Sequence, residues 1–542
     1  MKLPSKKIIL IATVIFVMAL SLRTYDLGGS DLGSDEGLWM ERGSKMITYL
    51  AKGEFKKSVE RFERHPGVPA AFLMGLSMKT LGKENIKNDI DSDIVKYNYA
   101  IAPPASFSLR ILDPLTAARL PIAILGALTC VFLFIFLNSL FSFKIASLAA
   151  VILTFSPFHI AASRMAHQDV ALGLFIMISL FVYFLGEQKN KNWLKIVAGM
   201  FFGLAFLTKV IALLIPLIIF IWKILTYIFK NKKKSFEHEN IFTYTDLIVL
   251  IIGVGMFFLL YPNMWDNALH SFTIHLLQNF SKEAVKDDHF FKGENTYGKV
   301  PLFYAYSLFM RIPILILFAF LIGIVTSVIN FLKNKKRALN LFILLCFFLL
   351  LFSFMGVSKV QERYLIPIWQ FISLFAALGI VFLLKKSNLV KNVHLALVIL
   401  LIILGGSFVF IKTTPNFYLY YNLLSGDSDK IRATMPVGRG EGLSLAAEYL
   451  NKKQKESGRT LNVFSTYSTY FKTYSKSNVI GWNDRKWTKK NIYENIDYYV
   501  IYVRDIQHRS PDLLYRKVYL EKEPEKIIRL NNIDTAWIFK NE

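Results

Sequence analysis

Long apolar runs dominate the chain and predict membrane-spanning helices. The first run extends from Ile8 to Leu22 and follows Lys2, Lys6 and Lys7. Because no small-residue cleavage site follows it, we interpret it as an uncleaved span rather than a signal peptide. A helix needs about 20 apolar residues to cross a hydrocarbon core of about 30 Å. Ten further spans are predicted at 115–141, 145–161, 169–186, 194–208, 210–229, 245–262, 302–331, 338–356, 364–384 and 392–412.

The distribution of Lys and Arg predicts the orientation of these spans. With the N-terminus in the cytoplasm, the short cytoplasmic segments hold many more basic residues than the short outer turns, as the positive-inside rule requires. The basic residues of those outer turns are Arg164, Lys209, Lys359 and Arg363. Eleven spans then place the C-terminus outside. The long outer segments are 23–113, 263–301 and 413–542.

The tail after residue 412 predicts a separate soluble domain. Residues 441–455 have a helical pattern, whereas 461–464 and 498–503 have strand patterns. The predicted fold is therefore an α-helical polytopic membrane domain of about eleven helices over residues 1–412, followed by an extracytoplasmic α/β domain over residues 413–542.

Composition agrees with a membrane protein. Hydrophobic residues make up 54% of the chain and are concentrated in the runs, which excludes disorder and a soluble enzyme with a single anchor. A net charge of +25 favours nucleic-acid binding in a soluble protein. In a membrane protein it indicates basic residues retained in the cytoplasm, so no nucleic-acid partner is predicted. Cys130 and Cys346 lie in apolar runs and predict neither a disulfide framework nor a metal cluster.

Ionisable residues gather at the outer ends of the predicted spans. Asp35 and Glu36 follow the first span, and adjacent carboxylates beside a membrane can provide a general base. The alternative is that Asp35 caps a surface helix over 36–51. The other residues at this predicted depth are Arg119, Arg164, Asp169, Lys209, Lys359, Arg363 and Tyr364. Such a cluster suits the phosphate of a lipid, whereas each long cation alone is explained by snorkelling.

Three further observations concern other functions. His65 and His289 lie in outer loops, and the spacing of the histidines around His289 fits no zinc motif, so no metal site is predicted. A transporter carries its polar groups near mid-membrane, where Arg311 is the residue that supplies a charge. A non-catalytic envelope receptor would instead use the C-terminal domain for recognition.

The order of these motifs resembles that of the polytopic GT-C glycosyltransferases. The most similar branch contains the protein O-mannosyltransferases and the lipid A aminoarabinose transferase (glycosyltransferase family 39-like). The matching motifs, over residues 1 to about 450, are Asp35-Glu36, His65-Pro66, Arg119-Leu120-Pro121, Ser163-Arg164 with Asp169, Gly203-Leu204-Ala205 with Thr208-Lys209, Arg363-Tyr364-Leu365-Ile366-Pro367, Tyr420-Tyr421-Asn422 and Gly440-Glu441-Gly442.

The resemblance implies an inverting glycosyltransferase of the plasma (inner) membrane that works at its outer face. Its donor is a sugar on a polyprenyl phosphate, and its acceptor is a hydroxyl of a protein, lipid or glycan. Asp35 is implied as the catalytic carboxylate, with Glu36 beside it. The residues implied for the donor and its phosphate are Lys209, Lys359, Arg363, Tyr364, Arg119, Asp169, His65 and His289. No cofactor is implied, and a divalent cation stays open, because related oligosaccharyltransferases use one while this branch generally does not. The alternatives remain a lipid-linked-sugar transporter or flippase and an envelope receptor.

Overall fold

The computed structural model describes residues 5–59, 67–83, 114–229, 241–265, 288–356, 358, 360–389, 392–481, 495–509 and 515–541, with a few positions between 268 and 277. Two candidate site residues, His65 and Lys359, lie outside the described residues.

The first part of the chain is a bundle of helices. They are α1 Lys6–Thr24, α2 Glu36–Ala51, α3 Phe55–Val59, α4 Val68–Thr80, α5 Pro114–Leu140, α6 Phe143–Thr154, α7 Pro157–Ser163, α8 Asp169–Lys189, α9 Asn192–Thr208, α10 Leu214–Ile228, α11 Tyr244–Leu260, α12 Pro301–Arg311, α13 Ile314–Leu332, α14 Arg337–Met355, α15 Ile366–Lys386 and α16 Asn392–Thr413.

The chain is a multi-pass membrane protein with fewer clear spans than the eleven predicted. Among the described residues, eight helices are long and apolar enough to cross a membrane, or nine if the pair α6 and α7, bent by 62°, is one span. Helices α9 and α11 have 17 residues each, short of the roughly 20 that a crossing needs. The predicted span 302–331 divides into α12 and α13. Pro313 separates them, and Ile312 before it is extended, as a residue before proline tends to be.

Helix α8 lies at the centre of the bundle, whereas α1 and α16, the first and last helices of the membrane part in chain order, lie at its edge. All of the apolar window of α8 is buried, compared with 6% of the corresponding window of α16. Helix α1 is also mostly exposed to the surroundings of the bundle. In a membrane, such exposed helix faces contact lipid and not water, which explains why they are apolar.

The first long loop folds onto the bundle through α2 and α4. These helices cross at Gly43 and Gly75, where a Cβ atom on Gly75 would lie 2.1 Å from the Gly43 carbonyl oxygen. Small residues are therefore required for this close approach. The predicted helix over 36–51 is confirmed as α2. Its first residue is Glu36, so the candidate residue Asp35 stands directly before a packed helix.

The C-terminal part contains a mixed sheet. Its helices and strands are α17 Ser428–Thr434, α18 Leu443–Ser457, α19 Ser468–Phe471 and α20 Val503–His508, with β3 Asn462–Ser465, β4 Asn478–Ile480, β5 Tyr498–Tyr502, β6 Lys526–Leu530 and β7 Ile533–Lys540; β1 Asp288–Phe291 and β2 Glu294–Tyr297 form a separate hairpin. The strand order is β4-β3-β5-β7-β6, with β3 parallel to β4 and β5, and β7 antiparallel to β5 and β6. The predicted helix over 441–455 and the two predicted strands are confirmed, as is the combination of a helical membrane part with a small α/β sheet domain.

Candidate functional site

Four charged side chains meet at one end of the bundle. We call them the site cluster: Asp35, Asp169, Lys209 and Arg363. Asp35 precedes α2, Asp169 begins α8, Lys209 follows α9, and Arg363 lies in the 3-10 turn Glu362–Leu365 that leads into α15. Four separate segments therefore supply the cluster. We call this end of the bundle the site end.

The cluster is joined through Arg363 and Asp169. Nη2 of Arg363 lies 2.9 Å from Oδ2 of Asp35, and its Nε lies 3.4 Å from Oδ2 of Asp169. The Lys209 ammonium pairs with the other oxygen of Asp169 and lies 4.5 Å from the centroid of the Tyr364 ring. The structure thus brings together five of the residues that the sequence singled out, although Lys209 and Arg363 are far apart in the chain.

Asp35 directs its carboxylate to the cluster and not to the helix that follows it. Its φ of +75° is unusual for a residue other than glycine, and its side chain makes no cap hydrogen bond to α2. The Asp35 side chain is 42% exposed. Burial alone would raise the pKa of Asp35, but the positive charges of Arg363 and Arg439 lower it well below its ordinary value. Asp35 is therefore an accessible, ionised carboxylate, and the capping alternative has no hydrogen bond to support it.

His167 is a member of the site that the sequence did not single out. It is buried, and its Nδ1 lies 2.9 Å from Oδ2 of Asp169. Burial, together with the positive charge of Arg363, lowers the pKa of His167 to about 4. The imidazole is therefore neutral at neutral pH, and the site cluster carries two negative and two positive charges.

Glu36 and Arg119, which the sequence placed in the active site, are paired with each other. Nε and Nη2 of Arg119 lie 2.8 and 2.6 Å from the two carboxylate oxygens of Glu36, and both side chains are fully buried. The backbone N–H groups of Gly33 and Ala166 donate to the same oxygens, each at 2.7 Å. Arg119 also donates to backbone carbonyls of residues 27–31. This pair fastens the loop that carries Asp35 to α5 and to the turn before Asp169.

Two further arginines fix the backbone around the cluster. Arg164 donates to the carbonyls of Arg23, Tyr25 and Asp26, at the end of α1. A cation at a helix C-terminus satisfies carbonyl groups that have no partner within the helix. Arg164 thereby sets the direction in which the chain leaves α1.

Arg311 performs the corresponding task beside Arg363. Its guanidinium holds Glu362 at 3.0 and 2.6 Å and donates to the carbonyls of Tyr418 and Tyr420 at 2.6 Å. Glu362 begins the turn that carries Arg363, so this contact ties that turn to the start of the C-terminal part. The mid-membrane charge that the sequence suggested is thus engaged in a buried ion pair.

His289 on β1 contacts the segment before Glu362 and not the site cluster itself. Its Nε2 contacts the Ser358 carbonyl oxygen and lies 3.3 Å from the backbone nitrogen of Val360. The hairpin β1–β2 therefore supports the segment immediately before Glu362 and Arg363.

The C-terminal domain binds the loop that carries Asp35. The Ser34 N–H donates to the Arg439 carbonyl at 2.9 Å, and the Leu32 N–H donates to the Tyr474 hydroxyl at 2.6 Å. The Asp31 carboxylate accepts from the N–H groups of Gly442 at 2.7 Å and Ser444 at 3.3 Å, at the start of α18. Burial raises the pKa of Asp31 to about 6. The Asp35 loop is thus clamped between the bundle and the C-terminal domain.

The carboxylates of the site cluster are poor candidates for a divalent-cation site. Among the described residues, no group of three or more His, Cys, Asp or Glu side chains is placed to hold a metal ion. The carboxylates of Asp35 and Asp169 already face Arg363 and Lys209, and such cations compete with a metal. These residues therefore do not fit a divalent cation.

Comparison with known proteins finds one matching family model and several similar solved structures. Residues 105–261 match the model of the family described as dolichyl-phosphate-mannose-protein mannosyltransferase. No curated protein matches the sequence significantly.

Solved structures are similar over almost the whole chain. ArnT from Cupriavidus metallidurans, bound to undecaprenyl phosphate, has 12% identity and a TM-score of 0.51 over 99% of this chain and 98% of that one. The oligosaccharyltransferase of Archaeoglobus fulgidus in its apo form has 12% identity and a TM-score of 0.52 over 95% of this chain and 72% of that one. AglB from the same organism, in complex with an inhibitory peptide and a dolichol-phosphate, has 12% identity and a TM-score of 0.50 over 92% of this chain and 70% of that one. The resemblance inferred from the motifs is confirmed, and the chain has the GT-C fold of these transferases.

Proposed function

We propose that the protein is an integral-membrane inverting glycosyltransferase that moves a sugar from a polyprenyl phosphate to an acceptor hydroxyl. The observation that carries this proposal is the contact between an exposed carboxylate, Asp35, and a buried guanidinium, Arg363, beside the Lys209 ammonium. The similar ArnT and AglB structures are bound to undecaprenyl phosphate and to a dolichol-phosphate, which supports the class of donor.

Arg363, Lys209 and Tyr364 form the proposed phosphate site. Nη1 of Arg363 is buried and has no hydrogen-bond partner in the described part of the chain. Charge-assisted hydrogen bonds from such a group to phosphate are short and strong. Lys209 shares Asp169 with Arg363, which holds the two cations close together. Lys359, predicted for the same site, stays a prediction.

Asp35 is the proposed general base. The acceptor oxygen attacks the anomeric carbon, and its proton passes to the Asp35 carboxylate. The bond from that carbon to the phosphate oxygen breaks, so polyprenyl phosphate leaves with an additional negative charge, which Arg363 and Lys209 stabilise. A single displacement of this kind inverts the anomeric centre.

Donor binding also changes the pKa of the proposed base, Asp35. In the free protein the charge of Arg363 lowers the pKa of Asp35, which makes the carboxylate a weak base. A donor phosphate that engages Arg363 neutralises part of that charge and so raises the pKa of Asp35 towards its ordinary value. A carboxylate of higher pKa accepts a proton more readily, which couples donor binding to activation of the acceptor.

Glu36 and Arg119 are proposed to position Asp35 and not to contact the reacting atoms. Both oxygens of Glu36 are already engaged by Arg119 and by backbone N–H groups, so the carboxylate has little capacity to accept another proton. His289 has the same kind of role for the segment before Arg363. His65 stays a prediction for the donor site.

The transporter alternative loses support, because Arg311 is paired with Glu362 and with backbone carbonyls.

The experiment that tests the proposed function uses the full-length protein in liposomes with a panel of undecaprenyl-phosphate sugars and a membrane extract as acceptor source. We expect one donor to release undecaprenyl phosphate. The proposal would be contradicted if no member of the panel bound to the protein and none released undecaprenyl phosphate.

We further propose that the site end faces the outside of the plasma (inner) membrane, with a cytoplasmic N-terminus and an extracytoplasmic C-terminal domain. The excess of Lys and Arg in the opposite short segments supports this orientation. A reporter fused after residue 420 should be active only outside the cell. A cytoplasmic signal at that position would overturn the orientation.

A further inference from the structure

Two adjacent leucines are exposed where the C-terminal part of the chain leaves the helix bundle. Leu423 is 90% exposed, and Leu424 beside it is also exposed. They begin the short 3-10 turn Leu423–Ser425, which lies between α16 and α17. We call this pair the leucine turn. Single exposed leucines are common on protein surfaces, so exposure alone assigns no partner to the turn.

The position of the leucine turn is fixed by Asn422, which is buried. The Asn422 backbone N–H donates to the Met310 carbonyl at 2.9 Å. Its side-chain amide donates to the carbonyls of Phe309 at 2.6 Å and Ile312 at 2.8 Å. Its side-chain oxygen accepts from the Leu424 N–H at 3.0 Å. Carbonyls at a helix C-terminus lack partners within the helix, so Asn422 binds where the chain passes from α12 to α13.

The same place is the start of an apolar surface on α13. This helix is long and apolar enough to cross a membrane. Leu315 in its first turn is 81% exposed, and Phe318 and Phe309 are exposed on either side of it along the chain. In a membrane, such side chains contact lipid. Because Asn422 binds the carbonyl of Ile312, three residues before Leu315, the leucine turn continues this lipid-facing surface.

The residues on either side of the leucine turn are those expected at a membrane–water boundary. Tyr420 and Tyr421 before it are partly exposed, and tyrosines are enriched at that boundary. Asp427, Asp429 and Lys430 after it are exposed and polar. The Asp427 carboxylate accepts from the Lys430 N–H at 2.9 Å, which begins α17 directly after the turn. The apolar surface therefore ends abruptly at the two leucines.

We infer that the leucine turn inserts into the lipid leaflet at the site end and anchors the C-terminal domain to the membrane. Leu423 and Leu424 lie among the lipid chains, while Asp427 and Lys430 remain at the level of the head groups. Lipid is the occupant of this surface because the turn continues the lipid-facing side of α13. The inference is independent of the proposed function, since it uses no residue of the site cluster.

The test uses the full-length protein in liposomes, with the fluorophore bimane on a single introduced cysteine, Leu423→Cys. The chain's two cysteines, Cys130 and Cys346, are buried and remain unlabelled while the protein is folded. Phospholipids with a nitroxide on an acyl chain quench a label inside the leaflet, and iodide quenches a label in water. We expect the label at position 423 to be quenched by the nitroxide lipids and to lose its quenching by iodide.

Two matched positions calibrate the measurement. Leu315→Cys places the label on the lipid-facing side of α13, and it should behave as Leu423→Cys does. Leu520→Cys places it on an exposed leucine of the C-terminal domain, and it should be quenched by iodide alone.

Leu520 lies towards the far end of β7 from the leucine turn. The start of β7 is beside α17, where the Asp534 N–H donates to the Ser428 hydroxyl at 3.2 Å. Lys522, close to Leu520, donates to Asn541 beyond the other end of the strand at 3.1 Å. The eight residues of β7 span about 25 Å. Leu520 is therefore a position in the same domain that lipid should not reach.

Two outcomes would overturn the inference. Quenching of the Leu423→Cys label by iodide to the extent seen for Leu520→Cys, without quenching by nitroxide lipids, would place the turn in water. Protection from both quenchers, in liposomes that contain this protein alone, would mean that a second copy of the chain covers the turn. If Leu423→Cys does not fold, judged by its unfolding temperature, Leu424→Cys takes its place with the same expected results.

Discussion

Both ends of the helix bundle hold two carboxylates and two cations, but the charged groups of the site cluster are much more accessible. At the opposite end are Glu187, Lys195, Lys223 and Asp246, which we call the closed cluster. Each of its four side chains is at most 10% exposed, and each cation contacts both carboxylates. In the site cluster, Asp35 is 42% exposed, and buried Arg363 atoms have no hydrogen-bond partner among the described residues.

The closed cluster joins four helices to one another. Asp246 forms a capping box with Thr243 at the start of α11, and Tyr183 of α8 donates to it at 2.6 Å. Lys195 belongs to α9 and Lys223 to α10. A buried ion pair whose charges are matched within the protein fixes the arrangement of the helices that carry it. Similar residue types therefore have different consequences, according to whether their charges are buried against each other or open to the surroundings.

The largest expected effect comes from breaking the closed cluster. Asp246→Ala leaves Lys195 and Lys223 buried with one carboxylate fewer. Removal of one partner from a buried pair destabilises a protein by about 3–5 kcal/mol. Thermal unfolding in detergent should show a clear decrease in the unfolding temperature. An unchanged unfolding temperature would mean that the closed cluster does not hold the helices together.

A second comparison uses the two lysines that pair with an aspartate at opposite ends. Lys209→Gln should weaken undecaprenyl phosphate binding by about 1.5–3 kcal/mol for each charged hydrogen bond lost. Lys223→Gln is the matched control, and it should reduce stability while the folded protein keeps its affinity for undecaprenyl phosphate. Equal loss of affinity in the two variants would remove the distinction between the clusters.

A smaller effect is expected from Asp31, which fastens the Asp35 loop to α18. Because burial raises the pKa of Asp31 to about 6, its charged form is disfavoured in the folded protein. The penalty is absent at pH below the unfolded-state pKa and grows as pH rises to about 6. Asp31→Asn cannot ionise, so above pH 6 it should be more stable than the wild type, by about 1–3 kcal/mol.

Thermal unfolding of the wild type and Asp31→Asn at pH 4.5 and pH 7.5 measures this effect. The difference between the two proteins should become small at the lower pH, where Asp31 is largely protonated. A difference that is independent of pH would show that the hydrogen bonds of Asp31, and not its charge, determine its contribution.

The sequence predicted which residues belong to the site better than it predicted which residues they contact. Asp169, Lys209, Arg363 and Tyr364 were identified because each stands at the end of an apolar run, and ends of spans are visible in a hydropathy pattern. These ends meet in the structure, since helices of similar length end at similar depths. Asp35 was identified as one of two adjacent carboxylates in the first outer loop and by the resemblance of its motif. The five-stranded sheet was predicted only in part, because β4, β6 and β7 are short or follow segments with a weak pattern.

The pairing of Glu36 with Arg119 could not be predicted in the same way. The two residues are 83 positions apart, and a sequence shows that each is polar without showing which polar group it meets. The position of Arg439 depends on how the C-terminal domain docks, which no local pattern records. The closed cluster did leave a signal: Glu187 and Lys195 flank the short connection between α8 and α9, close enough to pair.

The central claim is that the accessible carboxylate of the site cluster is the base. The most direct measurement is sugar transfer by Asp35→Asn, which keeps the size of the side chain but cannot accept the proton. We expect this variant to fold, to bind undecaprenyl phosphate and to lose about 100-fold or more in turnover. Turnover close to that of the wild type would contradict the account, and loss of folding would indicate a structural role for Asp35 instead.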